Sequence, residues 1–564
     1  MTIFEQILKA RGLDNEAARL FFEPNYVARH DPFLLPDMAA AVSRLVEARG
    51  RQEHIMIYGD YDIDGLTATT VLLDAFGSFG FRFVDAFIPN RFREGYGMTE
   101  QAVEEIAATG ATLIVTVDCG SLSEGPIVRA KELGVDVIVT DHHNVAPVQP
   151  PAVAVINPKR LLQDYPERYE KLRLIEHVDG EPLYPFLDLP GVGVAFKLVQ
   201  ALQTQLDGLE AGQEKWLLDL VALGTVCDVV TLVDENRLHV YWGLKVLAKT
   251  RRPGLKALMG VAGAEPSQLT ARTLGFGLGP RMNAAGRLET AKYAQDMLLA
   301  TDGMVALELA QKLDELNVAR RKAQDIIYKA ALEQAEQYTK DPVLVLSHAD
   351  WSHGIIGIVA AKILERYKKP TYVLQELGEE SKGSARSYGD FSVADAIRAN
   401  DDIITKGGGH KLAAGVTLPT QNIDAFRGRV NEYFASLNLP PQAPLLLPSA
   451  DVTAADFSEV TEALIADLSR LEPYGNGNPE PIICFERAIV MGVRRMGSES
   501  QHVKLSLQDT NGKKLDVVAF SAPEGWFAEV GQEVSVWVEL SINEWRGMRS
   551  VQGRLLHLVY LSES

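Results

Sequence analysis

HIMIYGDYDIDGLTATTVLLDAFGSFG, residues 54–80, runs from an apolar stretch through three alternating aspartates and a glycine into apolar residues at helical spacing. Residues 54–65 read as a short β-like run ending in acids and glycine, and residues 66–80 as a helix. The same unit recurs downstream. FVDAFIPN (83–90), ATLIVTVDCG (111–120), VDVIVTDHH (135–143) and AVAVINP (152–158) are apolar runs separated by helix-like TEQAVEEIAATG and EGPIVRAKELG. Strands alternating with helices predict an α/β domain around a mostly parallel sheet. Such sheets bind ligands beyond the carboxyl ends of their strands. The acids and histidines of this sequence fall at those ends.

The chain has 564 residues, 46% hydrophobic and 23% charged, enough for about three or four domains with cores of their own. No run of about 18 apolar residues predicts a membrane span, and the first residues lack the layout of a secretory signal. Three widely spaced cysteines, Cys119, Cys227 and Cys484, argue against a disulfide framework and for a reducing cytoplasm. A net charge of -19 weighs against non-specific coating of nucleic acid. It leaves room for a local basic channel, because salt limits the reach of remote charge to about 8–10 Å.

The pattern divides the chain into an N-terminal helical segment (1–50), a first α/β domain (51–303), a connecting helix (304–340), a second α/β domain (341–437) and a linker with a β-rich domain (438–564). Within the first domain, residues 159–189 are highly charged and read as a surface excursion. Residues 304–338 contain no glycine or proline, and Leu309, Leu313, Leu316, Ile327 and Ala331 recur at helical spacing, as expected of one long helix between domains. In the tail, Val503, Leu505 and Leu507, like Val534, Val536 and Val538, alternate with polar residues, which fits a small barrel or sandwich.

Asp60, Asp62 and Asp64 share one face if the chain is extended, and three like charges together require a cation or hydrogen-bond donors. Alternatively Asp64 caps the helix at Leu66. Asp118 ends a second apolar run, Asp141, His142 and His143 a third, and Asp228 follows LVALGTVC. Singly, each has an ordinary structural explanation; together they repeat one pattern. Carboxylates mixed with imidazole suit Mn²⁺ or Mg²⁺ better than structural zinc, and two such ions promote phosphoryl displacement. Adjacent histidines on a strand point to opposite faces, so His142 and His143 act together only if the strand stops before them.

GDYDIDG, VTVDCG, TDHHN and GTVCDVV, in this order, resemble the four motifs of the DHH phosphoesterase superfamily. GFGLGPRMNAAGRLE (275–289), WSHGIIGIVAAKI (351–363), GSARSYGDFSVADAI (383–397) and GGGHKLAAGVTL (407–418) narrow the resemblance to the bacterial RecJ family of single-strand-specific 5′→3′ DNA exonucleases. LEPYGNGNPEPIICF (471–485) and the tail resemble that family's OB-fold domain. The resemblance runs from about residue 50 to the end. It implies a parallel-sheet DHH domain joined by a long helix to a second α/β (DHHA1) domain, plus a C-terminal OB-fold β-barrel.

Carried over by position, the resemblance makes Asp62, Asp64, Asp118, His142 and Asp228 ligands of two divalent cations, Mn²⁺ or Mg²⁺, with Asp118 as the bridge. Asp60 joins them as a ligand or as a group bonded to one. His143 faces the substrate phosphate, and Asp141 orients the loop after a strand ending at Thr140. Arg91, Arg281, Arg287, Ser384, Arg386, Ser387 and His410 are the expected phosphate and DNA contacts. Arg93 lies beside Arg91, and Trp351 and His353 are candidates for the channel wall. On the barrel, Phe485, Phe520, Trp545, Arg494 and Arg495 are candidates for gripping a strand. The implied partners are single-stranded DNA, a RecQ-type helicase and a single-strand-binding protein, with no membrane, for a cytoplasmic monomer. Two alternatives share the motifs. A short-oligonucleotide phosphodiesterase of the superfamily would not need the barrel, and a non-catalytic replication scaffold would not need all four motifs intact.

Overall fold

The computed structural model describes residues 1–13, 21–95, 97–173, 182–439, 448–497, 500–545 and 547–561. The apolar runs of the first half form an all-parallel sheet of β1 (His54–Gly59), β2 (Phe83–Phe87), β3 (Leu113–Val117), β4 (Asp136–Thr140) and β5 (Ala154–Ile156), in the order β2-β1-β3-β4-β5. Alternation along β1 divides its residues between two cores. Ile55 and Ile57 join the larger one, whereas Met56 and Tyr58 join the smaller one on the opposite face. β3 is buried at every position, as a central strand covered on both faces must be.

The helix after β1 spans Ile63–Ser78 and so starts three residues earlier than expected. Its N-cap is Asp62, not Asp64, and the three aspartates do not lie along one extended strand. The 159–189 segment also departs from expectation. It contains the helices Arg160–Asp164 and Pro166–Arg173, and Leu161, Tyr169, Tyr184 and Leu189 are buried in the larger core. Its charges masked these and Phe186, five irregularly spaced apolar anchors; residues 174–181 lie outside those described.

The helix Gly303–Ala335 is continuous and belongs to two cores. Leu313 and Leu316 pack into the first domain, and Ile327, Ala331 and Ala335 into the second, against Leu344, Leu346 and Val373. The second domain has a mixed sheet of β6 (Leu344–His348), β7 (Thr371–Leu377), β8 (Glu380–Arg386), β9 (Lys406–Gly409) and β10 (Ala413–Pro419), ordered β6-β7-β8-β10-β9. Trp351 is buried there and stacks on His348, so it belongs to the core and not to a channel wall. Most of the stretch read as a linker, residues 440–447, lies outside the described residues.

The C-terminal strands are β11 (Val452–Ala454), β12 (Ile483–Met496), β13 (His502–Gln508), β14 (Lys514–Ala519), β15 (Glu533–Trp545) and β16 (Met548–Tyr560). Pairing of β12 with β15 closes β12-β13-β14-β16-β15 into a five-stranded barrel. Phe485, considered for strand binding, is fully buried edge-on to Phe457. Phe520 is exposed, Arg495 lies over the Phe527 ring, and the side chain of Trp545 is outside those described. The described parts of residues 1–50 pack against two different cores. The helix Ile3–Ala10 puts Ile3, Phe4 and Ile7 into the barrel core, and the helix Met38–Arg51 packs on the first domain. Among the described residues no helix is long and apolar enough to cross a membrane.

The helix Gly191–Leu202, which borders the sheet's carboxyl edge, is pinned by a buried ion pair. Lys197 Nζ donates to Glu235 Oε1 at 2.9 Å and to the His30 carbonyl at 2.5 Å, and Tyr184 also donates to Glu235. Removing one member of such a pair leaves the other charge buried and unpaired. Lys197→Met is expected to cost about 3–5 kcal/mol, read from urea unfolding midpoints. An unchanged midpoint would refute the pinning role.

Candidate active site

β1, β3 and β4 end in register: Gly59 lies opposite Val117, and Val117 opposite Thr140. The residues that follow, Asp60, Asp118 and Asp141, therefore leave the sheet along one edge. The chain turns from β1 to β2 on one side and returns to β3 on the other, so Asp60 and Asp118 flank the point where the strand order reverses. Asp118 has φ 61°, which takes the chain off the strand while its N–H still donates to the Thr140 carbonyl at 3.0 Å.

Helix ends supply the other carboxylates. Asp62 caps Ile63–Ser78, accepting from the Gly65 N–H at 3.2 Å. Asp64, in the first turn of that helix, accepts from the N–H groups of Gly191 at 2.6 Å and Val192 at 2.8 Å. These are the first two amides of Gly191–Leu202, where free donors and the helix dipole favour an anion. A Cβ on Gly191 would lie 2.6 Å from the Asp118 Cβ, so this close approach admits only glycine. Asp228 caps the far end of Leu218–Cys227.

The TDHHN segment leaves the strand at Thr140. Asp141 Oδ1 accepts from the backbone N–H of His142 at 2.7 Å and of His143 at 3.0 Å, and lies 2.9 Å from His143 Nδ1. Its Oδ2 accepts from the Ser121 N–H at 2.9 Å. Asp141 thus holds the turn, and the two rings, with centroids 4.4 Å apart, enter the same site. His142 Nε2 lies 3.1 Å from Asp118, 3.6 Å from Asp228 and 3.8 Å from Asp64. His143 is less buried.

Two groups of donor atoms result, Asp60–Asp62–Asp118 and Asp64–His142–Asp228, and a third grouping joins Asp118 to His142 and His143. Burial, then the charge of Asp62, pushes the Asp60 and Asp64 carboxyls above the usual carboxylate range. Burial, then Asp64, does the same to Asp118 and Asp228. Burial and the neighbouring His143 depress His142 to about 3. His143 moves the other way, because burial is outweighed by its bond to Asp141 and by the surrounding carboxylates. Among the described residues Asp60 Oδ1, Asp118 Oδ1 and His142 Nε2 are buried with no properly aligned hydrogen-bond partner, although the last two lie 3.1 Å apart. Oxygen-rich donor sets with orphaned atoms and one neutral imidazole fit divalent cations, whose charge would reverse the upward shifts of the carboxylates and keep His142 neutral.

Beside the carboxylates stand arginines held by neutral partners. Arg91 lies over the Tyr61 ring at 4.2 Å, and Arg287 donates to the Gly354 carbonyl at 3.2 Å. Arg386 donates to Ser384 Oγ at 3.1 Å. Arg320, on the long helix, donates to Gln324 Oε1 at 3.0 Å and to Asn317 Oδ1. Burial, then Arg91, Arg320 and Arg386, lower the Arg287 guanidinium to about 10. None of the four forms an ion pair with a carboxylate among the described residues, which is the condition for an anion site.

Not every expected contact joins this set. Arg281 is bound to Asp314 at 2.8 Å and to the Gly277 carbonyl at 2.7 Å. It shares the helix Gly279–Leu288 with Arg287, but six residues turn it by about 240°, away from the site. Ser387 is buried and donates to the Phe391 carbonyl, so it secures its own turn. Ser384 serves to hold Arg386. His410 is exposed, and its Nδ1 lies 3.2 Å from Asn144 Nδ2, just after the paired histidines. His353 contacts Gln375 and the edge of Phe92. Gly191 and Arg320 escaped the sequence reading. PGVG before an apolar run signals a helix start, but nothing local says which carboxylate docks on it.

Models of the DHH family N-terminal domain, the DHHA1 domain and the RecJ OB domain match residues 54–225, 340–436 and 453–557. The single-stranded-DNA-specific exonuclease RecJ of Dickeya dadantii is 35% identical over 547 residues, covering 93% of this chain and 91% of that protein. The chain belongs to the RecJ family. RecJ of Bacillus subtilis is 38% identical over 552 residues, 97% of this chain but 66% of that protein's length. RecJ of Thermus thermophilus in complex with Mn²⁺ matches with a TM-score of 0.82 at 28% identity, over 99% of this chain and 76% of that one. A second structure of that RecJ is in complex with Mg²⁺.

Proposed function

We propose that this chain hydrolyses single-stranded DNA from the 5′ end, releasing 5′-mononucleotides with two divalent cations, Mn²⁺ or Mg²⁺. The observation that carries this reading is the juxtaposition of two donor groups, one of three carboxylates and one of two carboxylates with His142, with arginines that form no carboxylate ion pair among the described residues. Asp60, Asp62 and Asp118 would hold one cation and Asp64, His142 and Asp228 the other, with Asp118 between them. Bound there, the ions activate water and neutralise the charge of a phosphoryl displacement. Asp141 holds His143 through Nδ1 and favours its imidazolium form, which would donate to the scissile phosphate. Arg91, Arg287, Arg320 and Arg386 receive the terminal phosphate, so the strand end sets the position of the cut. Phosphodiester hydrolysis on short oligonucleotides alone would leave the barrel without a task.

The strand path follows a cleft of about 780 Å³ that passes Arg287 and Arg320 and reaches Arg554 of the barrel. Phe276, exposed in that cleft beneath Arg272, offers a ring for base stacking. The protein acts as a cytoplasmic monomer in recombination and repair, on strands opened by a RecQ-type helicase or coated by a single-strand-binding protein. Incubation with Mn²⁺ and strands labelled at either end tests the reaction. The 5′ label should leave first, as a mononucleotide, with duplex DNA intact. Release of the 3′ label first, or equal cutting of duplex, would overturn polarity and strand choice.

A further inference from the structure

The loop after Asp228 is held by the barrel. Val229 takes φ 62°, a left-handed conformation that is strained for a β-branched residue, and the residue is 66% exposed. The first domain therefore offers little packing around this side chain to enforce that backbone, beyond one hydrogen bond from the Val229 N–H to the Val226 carbonyl at 3.3 Å. Asn476, in the turn before β12, does so by hydrogen bonds. Its Nδ2 donates to the Val229 carbonyl at 3.1 Å, and its own carbonyl accepts from the Leu232 N–H at 2.7 Å. One barrel residue thus grips both ends of the segment 229–232.

The turn itself is stiff. Gly475 and Asn478 exchange two backbone hydrogen bonds, and the buried Asn478 Nδ2 donates to the carbonyls of Leu471 and Pro473. A Cβ on Gly475 would lie 2.7 Å from Leu232 Cδ1, so the turn sits directly on the loop. From the opposite side, Asp188 accepts from the Thr231 N–H at 2.9 Å and from its hydroxyl. The loop is clamped between the first domain and the barrel, one residue from the Asp228 carboxylate.

We infer that Asn476 is a positioning residue for Asp228: by holding Val229 in its strained conformation, the barrel completes the metal site as well as binding the strand. Without Asn476, Val229 relaxes toward negative φ, and the rotation carries Asp228 with it. The inference rests on the reading of Asp228 as a metal ligand.

The test measures Mn²⁺ binding to the full chain by calorimetry, alongside kcat and KM on a single strand. Asn476→Ala should weaken Mn²⁺ binding about three- to tenfold, the range for one lost hydrogen bond, and lower kcat with little change in KM. Glycine adopts φ 62° without strain, so adding Val229→Gly to Asn476→Ala should restore Mn²⁺ affinity. A general loosening of the barrel would not be rescued in this way. Asp228→Asn should weaken Mn²⁺ binding whatever Asn476 does. If Asp228→Asn weakens binding and Asn476→Ala does not, the brace alone is overturned. Failure of Val229→Gly to rescue overturns the strain route, and wild-type binding by Asp228→Asn overturns both the ligand reading and the brace.

Discussion

Asp118→Asn is expected to yield a folded protein that degrades single strands at least about 10³-fold more slowly than the parent. Asp118 contributes to two of the three donor groupings and lies 3.1 Å from His142, so its loss affects both cation positions at once. Losing several kcal/mol of transition-state charge stabilisation corresponds to that factor. Asparagine is the informative replacement because it matches aspartate in shape and tolerates the left-handed backbone, whereas alanine would add strain. Stability should move in the opposite direction. Burial and mutual repulsion raise Asp60, Asp64, Asp118 and Asp228 above their unfolded values. Such groups stabilise the folded state most when protonated, and that contribution is lost as pH rises through their folded pKa values. At neutral pH the metal-free parent therefore bears the cost of burying a carboxyl that is ionised when unfolded, a cost the variant lacks. Asp118→Asn should melt higher than the parent without metal and gain less from Mn²⁺. A variant that retains full activity would remove Asp118 from the site.

Gly191→Ala should reduce activity by about 10²-fold, although glycine has no side chain to offer chemistry. The added methyl would lie 2.6 Å from the Asp118 Cβ and 2.7 Å from Oδ1. Asp118 is anchored to the strand ladder through Thr140, so the start of Gly191–Leu202 must yield. That start also supplies the two amides that hold Asp64. One methyl therefore disturbs a carboxylate in each donor group, and displacements near 1 Å cost about 10²-fold in pre-organised sites. Gly260→Ala is the control. It lies inside the helix Pro253–Ala262 with nothing within 4 Å of the new Cβ, and there alanine is the better helix former by about 1 kcal/mol. Activity should survive at Gly260 with a slightly higher melting temperature. Equal effects at both positions would mean that general helix perturbation, not contact with Asp118, explains the loss.

The two glycines mark the boundary of what the sequence discloses. Strands, their ends and the acids beyond them were legible because period and local composition encode them. HIMIYG and VDVIVT each announce a buried strand, and the acids lie next in line. The pairing of Asp64 with Gly191 and Val192 was not legible, since 127 and 128 positions separate the partners and either half has an ordinary local explanation. Arg281 and Arg287 look equivalent in GPRMNAAGR, and only their helical phase separates an Asp314 partner from a place in the cleft. Arg320 looked like one more solvated charge on a long helix until the Asn317 and Gln324 amides were seen to hold it. Phe485 reads like any aromatic on a strand, and its burial depends on which face the closed barrel turns inward.

The placement of the first helix has a consequence for the order of biosynthesis. Ile3, Phe4 and Ile7 find their core only among the barrel strands, and Arg11 pairs with Asp451, 440 positions later. At translation rates of about 5–20 residues per second, that helix waits some 20–90 s for its partner strands. The sheet bearing Asp60, Asp118 and His142 is translated during the wait and can form first. The turn carrying Asn476 is made 247 residues after Val229, so a nascent chain holds most of its nuclease chemistry while lacking this brace.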